Sequence, residues 1–168
     1  GILGNSQPID ISLTRKQSVV RLLFTPSASW TFQLSYQHEK EKGYRPIGTT
    51  SNSNNQLEMP EPINYSLDVV KASAEYSKGR AALQAGITDI MFTNNVKAMT
   101  WDIPFRTTDG TANSQTSHGR MPLYPDNNSV NVDVAGAINI GAKVRMMTSF
   151  VPQWSSQNDA FLPFTINS

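Results

Sequence analysis

The chain has 168 residues, enough for one ordinary domain, and it carries 38% hydrophobic residues, 16% charged residues and a formal net charge of +1. That balance, with no Lys/Arg patch interleaved with aromatics, argues against nucleic acid as a partner. The absence of cysteine removes disulfides, Cys-based zinc sites and c-type haem attachment on this chain. No apolar run approaches the ~18 residues of a membrane-spanning helix. No signal peptide is visible at Gly1, so the chain reads as a mature or internal segment of something larger.

The first predicted pair of strands covers residues 18–39, turning at Pro26-Ser27-Ala28-Ser29. Val20, Leu22 and Phe24 share one face of its first strand, with Arg21 on the other. On the second, Trp30, Phe32, Leu34, Tyr36 and His38 alternate with Thr31, Gln33, Ser35, Gln37 and Glu39. A period of two means a strand with one apolar and one polar face. The second pair covers residues 67–92 and turns at Ser77-Lys78-Gly79. There Val70, Ala72, Ala74, Tyr76, Leu83, Ala85 and Ile87 oppose Lys71, Ser73, Glu75, Gln84 and Thr88. The third covers residues 130–154 and turns at Gly141-Ala142-Lys143. Val130, Val132, Val134, Ile138, Ile140, Val144, Met146, Phe150 and Trp154 oppose Asn131, Asp133, Asn139, Arg145, Met147 and Gln153. Pro152 cannot donate to a ladder, which places it at a strand end or a bulge.

Polar, Pro- and Gly-rich stretches at about 40–65 and 93–129 read as long loops. Alternating strands of roughly 9–11 residues, short turns at one end and long loops at the other describe the wall of an antiparallel transmembrane β-barrel, about six strands in three hairpins, with periplasmic turns and extracellular loops. The expected lipid face is Val20, Leu22, Phe24, Trp30, Phe32, Leu34, Tyr36, Val70, Ala72, Tyr76, Leu83, Ile87, Val132, Val134, Ile138, Met146, Phe150 and Trp154. The expected lumen face carries Arg21, Gln33, Ser35, Lys71, Glu75, Gln84, Asp133 and Arg145, either solvating the wall or touching a lumen-filling partner. Phe24, Trp30, Tyr76, Phe150 and Trp154 near strand ends suit interfacial girdles.

Four motifs punctuate these hairpins: LEMPEPINY at 57–65, MTWDIPF at 99–105, YPDN at 124–127 and QNDAFLPFT at 157–165. In this order, with strand pairs between, the chain resembles the MtrB/PioB family of outer-membrane β-barrels over essentially its whole length. Asn64 stands where that family's pattern leads one to expect Asp, and Ile103 where Asn is usual. The cysteine pair near the N-terminus of some members is absent. The resemblance implies a larger barrel in the outer membrane of a Gram-negative bacterium, with this chain as one segment of its wall. It also implies a sheath that holds a periplasmic multihaem c-type cytochrome in its lumen, and a second multihaem cytochrome on the extracellular side as a further partner. Haem would then belong to the partner, with no cofactor on this chain and no enzymatic activity. The runner-up is a porin or transporter wall that passes solutes; a soluble all-β adhesin is a third class.

His38 and His118 are the two imidazoles, and neither has an acidic partner placed by the sequence; without G-x-S-x-G no hydrolase triad is indicated. Asp102, Asp109 and Asp126, in oxygen-rich loops without EF-hand spacing, are candidates for a calcium clip.

Overall fold

The computed structural model describes residues 8–52, 55–103, 106, 108–110 and 116–162, with the side chains of 50–52 and 55–57 excepted. Its strands are β1 Leu13–Ser27, β2 Trp30–Asn52, β3 Asn55–Lys78, β4 Ala81–Asn94, β5 Ala98–Asp102, β6 His118–Pro122, β7 Asn127–Ile140, β8 Val144–Phe150 and β9 Gln153–Gln157. One sheet runs β1-β2-β3-β4-β7-β8, with β9 also on β7, and β5-β6 form a separate two-stranded ribbon. Every neighbouring pair is antiparallel. The fold is all-β, as the alternation implied. The sheet is open, with β1 and β8–β9 at its edges.

Three hairpins match the expected ones, but their lengths do not. The stretch 40–65, expected as a loop, is instead the upper half of β2 and β3, paired in register from Lys40↔Ser66 to Thr50↔Gln56. Backbone pairing needs no apolar face, so charged and Pro-containing sequence carries the hairpin onward. Its prolines sit where a missing N–H is tolerated. Pro46 lies beyond Gly43, where the pairing with β1 ends, and Pro60 and Pro62 lie beyond Tyr65, where the pairing with β4 ends. Gly43 marks the parting of β1 from β2: its φ is +140°, and a Cβ there would strike the Ser12 carbonyl, to which the Tyr44 N–H donates at 2.9 Å.

The stretch 93–129 is also more than a loop, since it contains β5 and β6 and gives its first and last residues to β4 and β7. Pro152 interrupts the final strand between β8 and β9, yet pairing is the same on both sides, with Val134 opposite Phe150 and Val130 opposite Trp154. The proline therefore sits at a gap in the ladder and not at a bulge, and its carbonyl still accepts from Val132 N–H at 3.0 Å. Among the described residues, Ile63 and Met99 are the buried hydrophobics. Ile63 lies in the upper half of β3 and Met99 in the β5-β6 ribbon, and no other described hydrophobic residue is buried.

Candidate functional site

Directly paired residues of an antiparallel sheet point to the same face, so register assigns the faces of this wall. The row through Tyr36 holds Val20, Val70, Asp89, Val130 and Trp154; the next holds Leu22, Leu34, Ala72, Ile87 and Val132. Below it come Phe24, Phe32, Ala74, Ala85, Val134 and Phe150, then Trp30, Tyr76, Leu83, Gly136 and Thr148. Ile138 pairs with Met146 on the same face. All eighteen residues expected on the apolar face thus share one surface. Along β2 its members Trp30, Phe32, Leu34 and Tyr36 are the exposed ones, while the polar residues between them are less exposed. This inverts the arrangement of a water-soluble sheet.

The apolar band spans Val130 to Ile140 on β7. Ten steps of about 3.4 Å give ~34 Å along the strand, or ~26 Å of height at the roughly 40° tilt of barrel strands, close to the ~25 Å apolar band of such walls. Its short-turn end carries packed rings: Trp30 stacks on Phe32 at 5.5 Å and meets Tyr76 tilted at 4.8 Å, and Phe24 stacks on Phe32 at 6.3 Å.

The eight residues expected on the opposite face also come together. Arg21, Ser35 and Lys71 are registered neighbours, as are Glu75 and Gln84; Gln33 and Asp133 share a row through Ser73 and Gly86; and Arg145 pairs with Asn139. Between them stand apolar side chains that the expectation passed over. Val19 is 53% exposed, Leu23 67% and Met147 71%, all on this same face. A groove of about 380 Å³ runs over β3, β4, β7 and β8, where the small Ser77, Ala82, Ala135, Ala137 and Ser149 are interspersed on this side with Glu75, Gln84 and Met147.

Above the band three of the four motifs meet, those at 57–65, 124–127 and 157–165, a convergence their spacing did not disclose. Glu61, 1% exposed, receives Arg45 in a two-pronged contact, Nε to Oε2 at 2.7 Å and Nη2 to Oε1 at 3.0 Å. Tyr65 Oη donates to the same carboxylate at 3.3 Å, and the Arg45 guanidinium lies 5.6 Å over the Tyr124 ring. The Glu61 carboxylate holds Arg45 protonated well above its usual range, and burial beside Glu61 pushes the Tyr65 phenol up to about 12. Tyr65 also packs on Phe92 at 5.2 Å.

Asn94 is the hinge pin of the long connection and is fully buried. Its backbone N–H donates to Asp126 at 2.6 Å, its Nδ2 to the Tyr124 carbonyl at 2.9 Å, and its Oδ1 accepts from Val96 N–H at 3.0 Å. Lys97 Nζ then bridges Asp126 Oδ2 at 2.6 Å and Asp159 Oδ2 at 3.2 Å, and Asp159 accepts from the Asp126 N–H at 2.9 Å. One ammonium ties together the start of the connection, its end and the segment after β9. Lys97 and the Asn94 N–H hold the Asp126 carboxyl below its ordinary value, and the two aspartates raise Lys97.

Asp109, the next calcium candidate, accepts from Ser117 N–H at 2.7 Å and Ser117 Oγ at 2.8 Å. Among the described residues no three His, Cys, Asp or Glu side chains group as metal ligands would. Both histidines do have acidic partners, contrary to the sequence reading, because register sets Asp68 opposite His38 and Asp102 opposite His118. His38 Nδ1 lies 2.8 Å from Asp68, which also accepts from Tyr36 Oη at 2.6 Å; His118 Nε2 lies 3.4 Å from Asp102. In the ribbon, Trp101 lies across Gly119, where any Cβ would overlap the indole. Of the motifs, Pro104, Phe105 and residues 163–165 lie outside the described residues.

A family model described as "Putative outer membrane beta-barrel porin, MtrB/PioB" matches residues 1–168, the whole chain. No curated protein matches it.

Proposed function

Because this chain belongs to the MtrB/PioB family of porin-like outer-membrane β-barrels, we propose that it is a wall segment of a barrel that encloses and insulates a protein partner, a multihaem c-type cytochrome, for electron transfer across the membrane. The exposed apolar band faces lipid, and the opposite face lines the lumen. A closed barrel of such strands satisfies its backbone within the bilayer, where water is unavailable to do so.

The observation that carries the sheath reading over an open porin is the mixed character of the inner face. A water-filled pore favours an inner surface that is polar throughout. Here Val19, Leu23 and Met147 stand exposed among Arg21, Lys71, Glu75 and Asp133. Such a surface suits a packed protein interface, with apolar contact inside a polar surround. In the groove the small Ala82, Ala135 and Ala137 leave room beside Glu75, Gln84 and Met147 for a partner's side chains. A chain without cysteine cannot carry attached c-type haem itself, so the role left to it is structural: to hold the carrier and exclude lipid and water from its sides.

The test is extraction of the parent barrel in mild detergent, followed by its absorption spectrum. Stoichiometric c-type haem absorbance that persists through purification, and weakens in a Leu23→Asp/Met147→Asp variant, is the expected result. A colourless barrel that passes small solutes would replace the sheath with a porin.

A further inference from the structure

The outer face changes character at one level. Above the Tyr36 row lie Ser18, His38, Asp68, Met91, Asn128 and Ser156, polar but for Met91, and above that Lys16 faces Lys40 in register, with Lys42 one row farther on opposite Thr14. The chain reads His38-Glu39-Lys40-Glu41-Lys42, and strand alternation sorts those charges. Glu39 and Glu41 go to the inner face, where Arg15 Nε donates to Glu39 at 2.6 Å. The lysines go to the outer face, and all three are exposed.

Acids registered to that face are Asp68, Asp89 in the Tyr36 row, to which Asn128 Nδ2 donates at 2.6 Å, and Glu58 opposite Gly48 beyond the lysines. Asp68, the acid nearest along these rows, is engaged by Tyr36 and His38, and among the described residues Lys16, Lys40 and Lys42 make no ion pair. Registered Cα atoms lie ~4.5–5.5 Å apart and next-row neighbours ~7 Å apart, so three flexible ammonium groups can converge on one multiply charged anion. Thr14, Ser18, Ser66 and Tyr44 add hydroxyls on the same face. The Lys16–Lys40 row stands four residues beyond the last apolar row, about 10 Å higher at barrel tilt. That is the depth of the lipid headgroups.

We propose that Lys16, Lys40 and Lys42 form a site for the phosphate-bearing headgroup of an anionic membrane lipid, in the leaflet at the long-loop end. The site rests on the reading of the apolar band as lipid-facing. That band fixes the lipid's height, and the unpaired positive charge selects its headgroup. A lysine near a membrane surface strengthens anionic-lipid binding about fivefold, so three together amount to a factor on the order of 100.

The experiment uses the intact barrel reconstituted into phosphatidylcholine vesicles with a minor fraction of lipopolysaccharide, and counts the lipopolysaccharide retained after repurification. The wild-type barrel is expected to retain it in a salt-sensitive manner. The Lys16→Gln/Lys40→Gln/Lys42→Gln variant should lose it on the order of 100-fold, and the corresponding triple Arg variant should restore it. Equal retention by wild type and the Gln variant, with both inserting normally into phosphatidylcholine alone, overturns the site and leaves the barrel reading intact. Displacement of the lipid by inorganic phosphate would assign the lysines to a free anion and overturn the lipid assignment. Failure of the wild-type barrel to insert into neutral vesicles overturns the site and the lipid-facing reading together.

Discussion

Val134→Arg puts a charge into the middle of the apolar band. Val134 lies on β7 between Ala85 and Phe150 on its two registered neighbours, four residues below Val130 at the upper rim and six above Ile140 at the turn. Four steps of about 3.4 Å at a ~40° tilt place it ~10 Å deep in a band ~26 Å tall, close to the midplane. An arginine there is expected to cost roughly 2–4 kcal/mol, falling to ~0–1 kcal/mol at the rim, so Val130→Arg should be about fivefold to several hundredfold milder. On the opposite face, Ser73→Arg lands in the row of Gln33 and Asp133 and should cost almost nothing. The assay is equilibrium folding of the intact barrel into vesicles against urea, read by gel mobility of unheated samples. At about 1.4 kcal/mol per factor of ten, Val134→Arg should lower the folding constant on the order of 100-fold. Equal effects at 134 and 73, or a larger effect at 73, would refute the facing assignment.

Asn94→Ala removes the side chain that satisfies the Tyr124 carbonyl and the Val96 N–H from within a buried site. Two unpaired groups at about 1–3 kcal/mol each should raise local opening by a few kcal/mol, seen as faster amide exchange at Val96 and quicker proteolysis between residues 95 and 125, with the membrane-spanning strands unaffected. The lysine clip has a pH window. Asp126 is depressed below its ordinary 3.8, so its contribution is present above that value and lost as pH falls through its lower folded value. Lys97 is raised above its ordinary 10.5, so its contribution is present below that value and lost as pH rises through its higher folded value. Exchange of the Asn94 and Val96 amides should therefore stay slow between these limits and quicken outside them, and Lys97→Gln should move the acid limit up toward 3.8. Gly119→Ala should displace the Trp101 indole, visible as a shifted fluorescence maximum without loss of barrel insertion.

The membrane-spanning part of this fold was legible because lipid on one side and a lumen on the other impose a period of two on residues 30–38 and 130–140. Above the band neither face is apolar. The run from Lys40 to Thr50 carries Glu, Lys, Arg, Pro and Gly, and composition alone reads as loop although the backbone stays paired. The short ribbon of β5 and β6 was hidden likewise, because five residues without strong alternation carry little periodic signal.

The clipped cluster was half legible. Glu61, Tyr65, Tyr124, Asp126 and Asp159 lie within three of the motifs, but Arg45, Asn94 and Lys97 lie outside them, and contacts such as Arg45 with Glu61, or Lys97 with Asp126 and Asp159, join positions 16, 29 and 62 residues apart. Asp126 was noticed for its oxygen-rich surroundings, whereas its actual partner is an ammonium supplied from the far end of the connection. The acidic partners of His38 and His118 became visible only with register.

The central claim is that the apolar face of this wall meets lipid and the mixed face meets the lumen. A chain without cysteine permits single cysteines to be introduced at each position from 30 to 37 and labelled with a nitroxide in the intact, reconstituted barrel. Collision with oxygen should then alternate, high at 30, 32, 34 and 36 and low at 31, 33, 35 and 37, with a water-soluble quencher showing the opposite phase or no access at all. Uniform access along the strand, or the reverse alternation, would contradict the account.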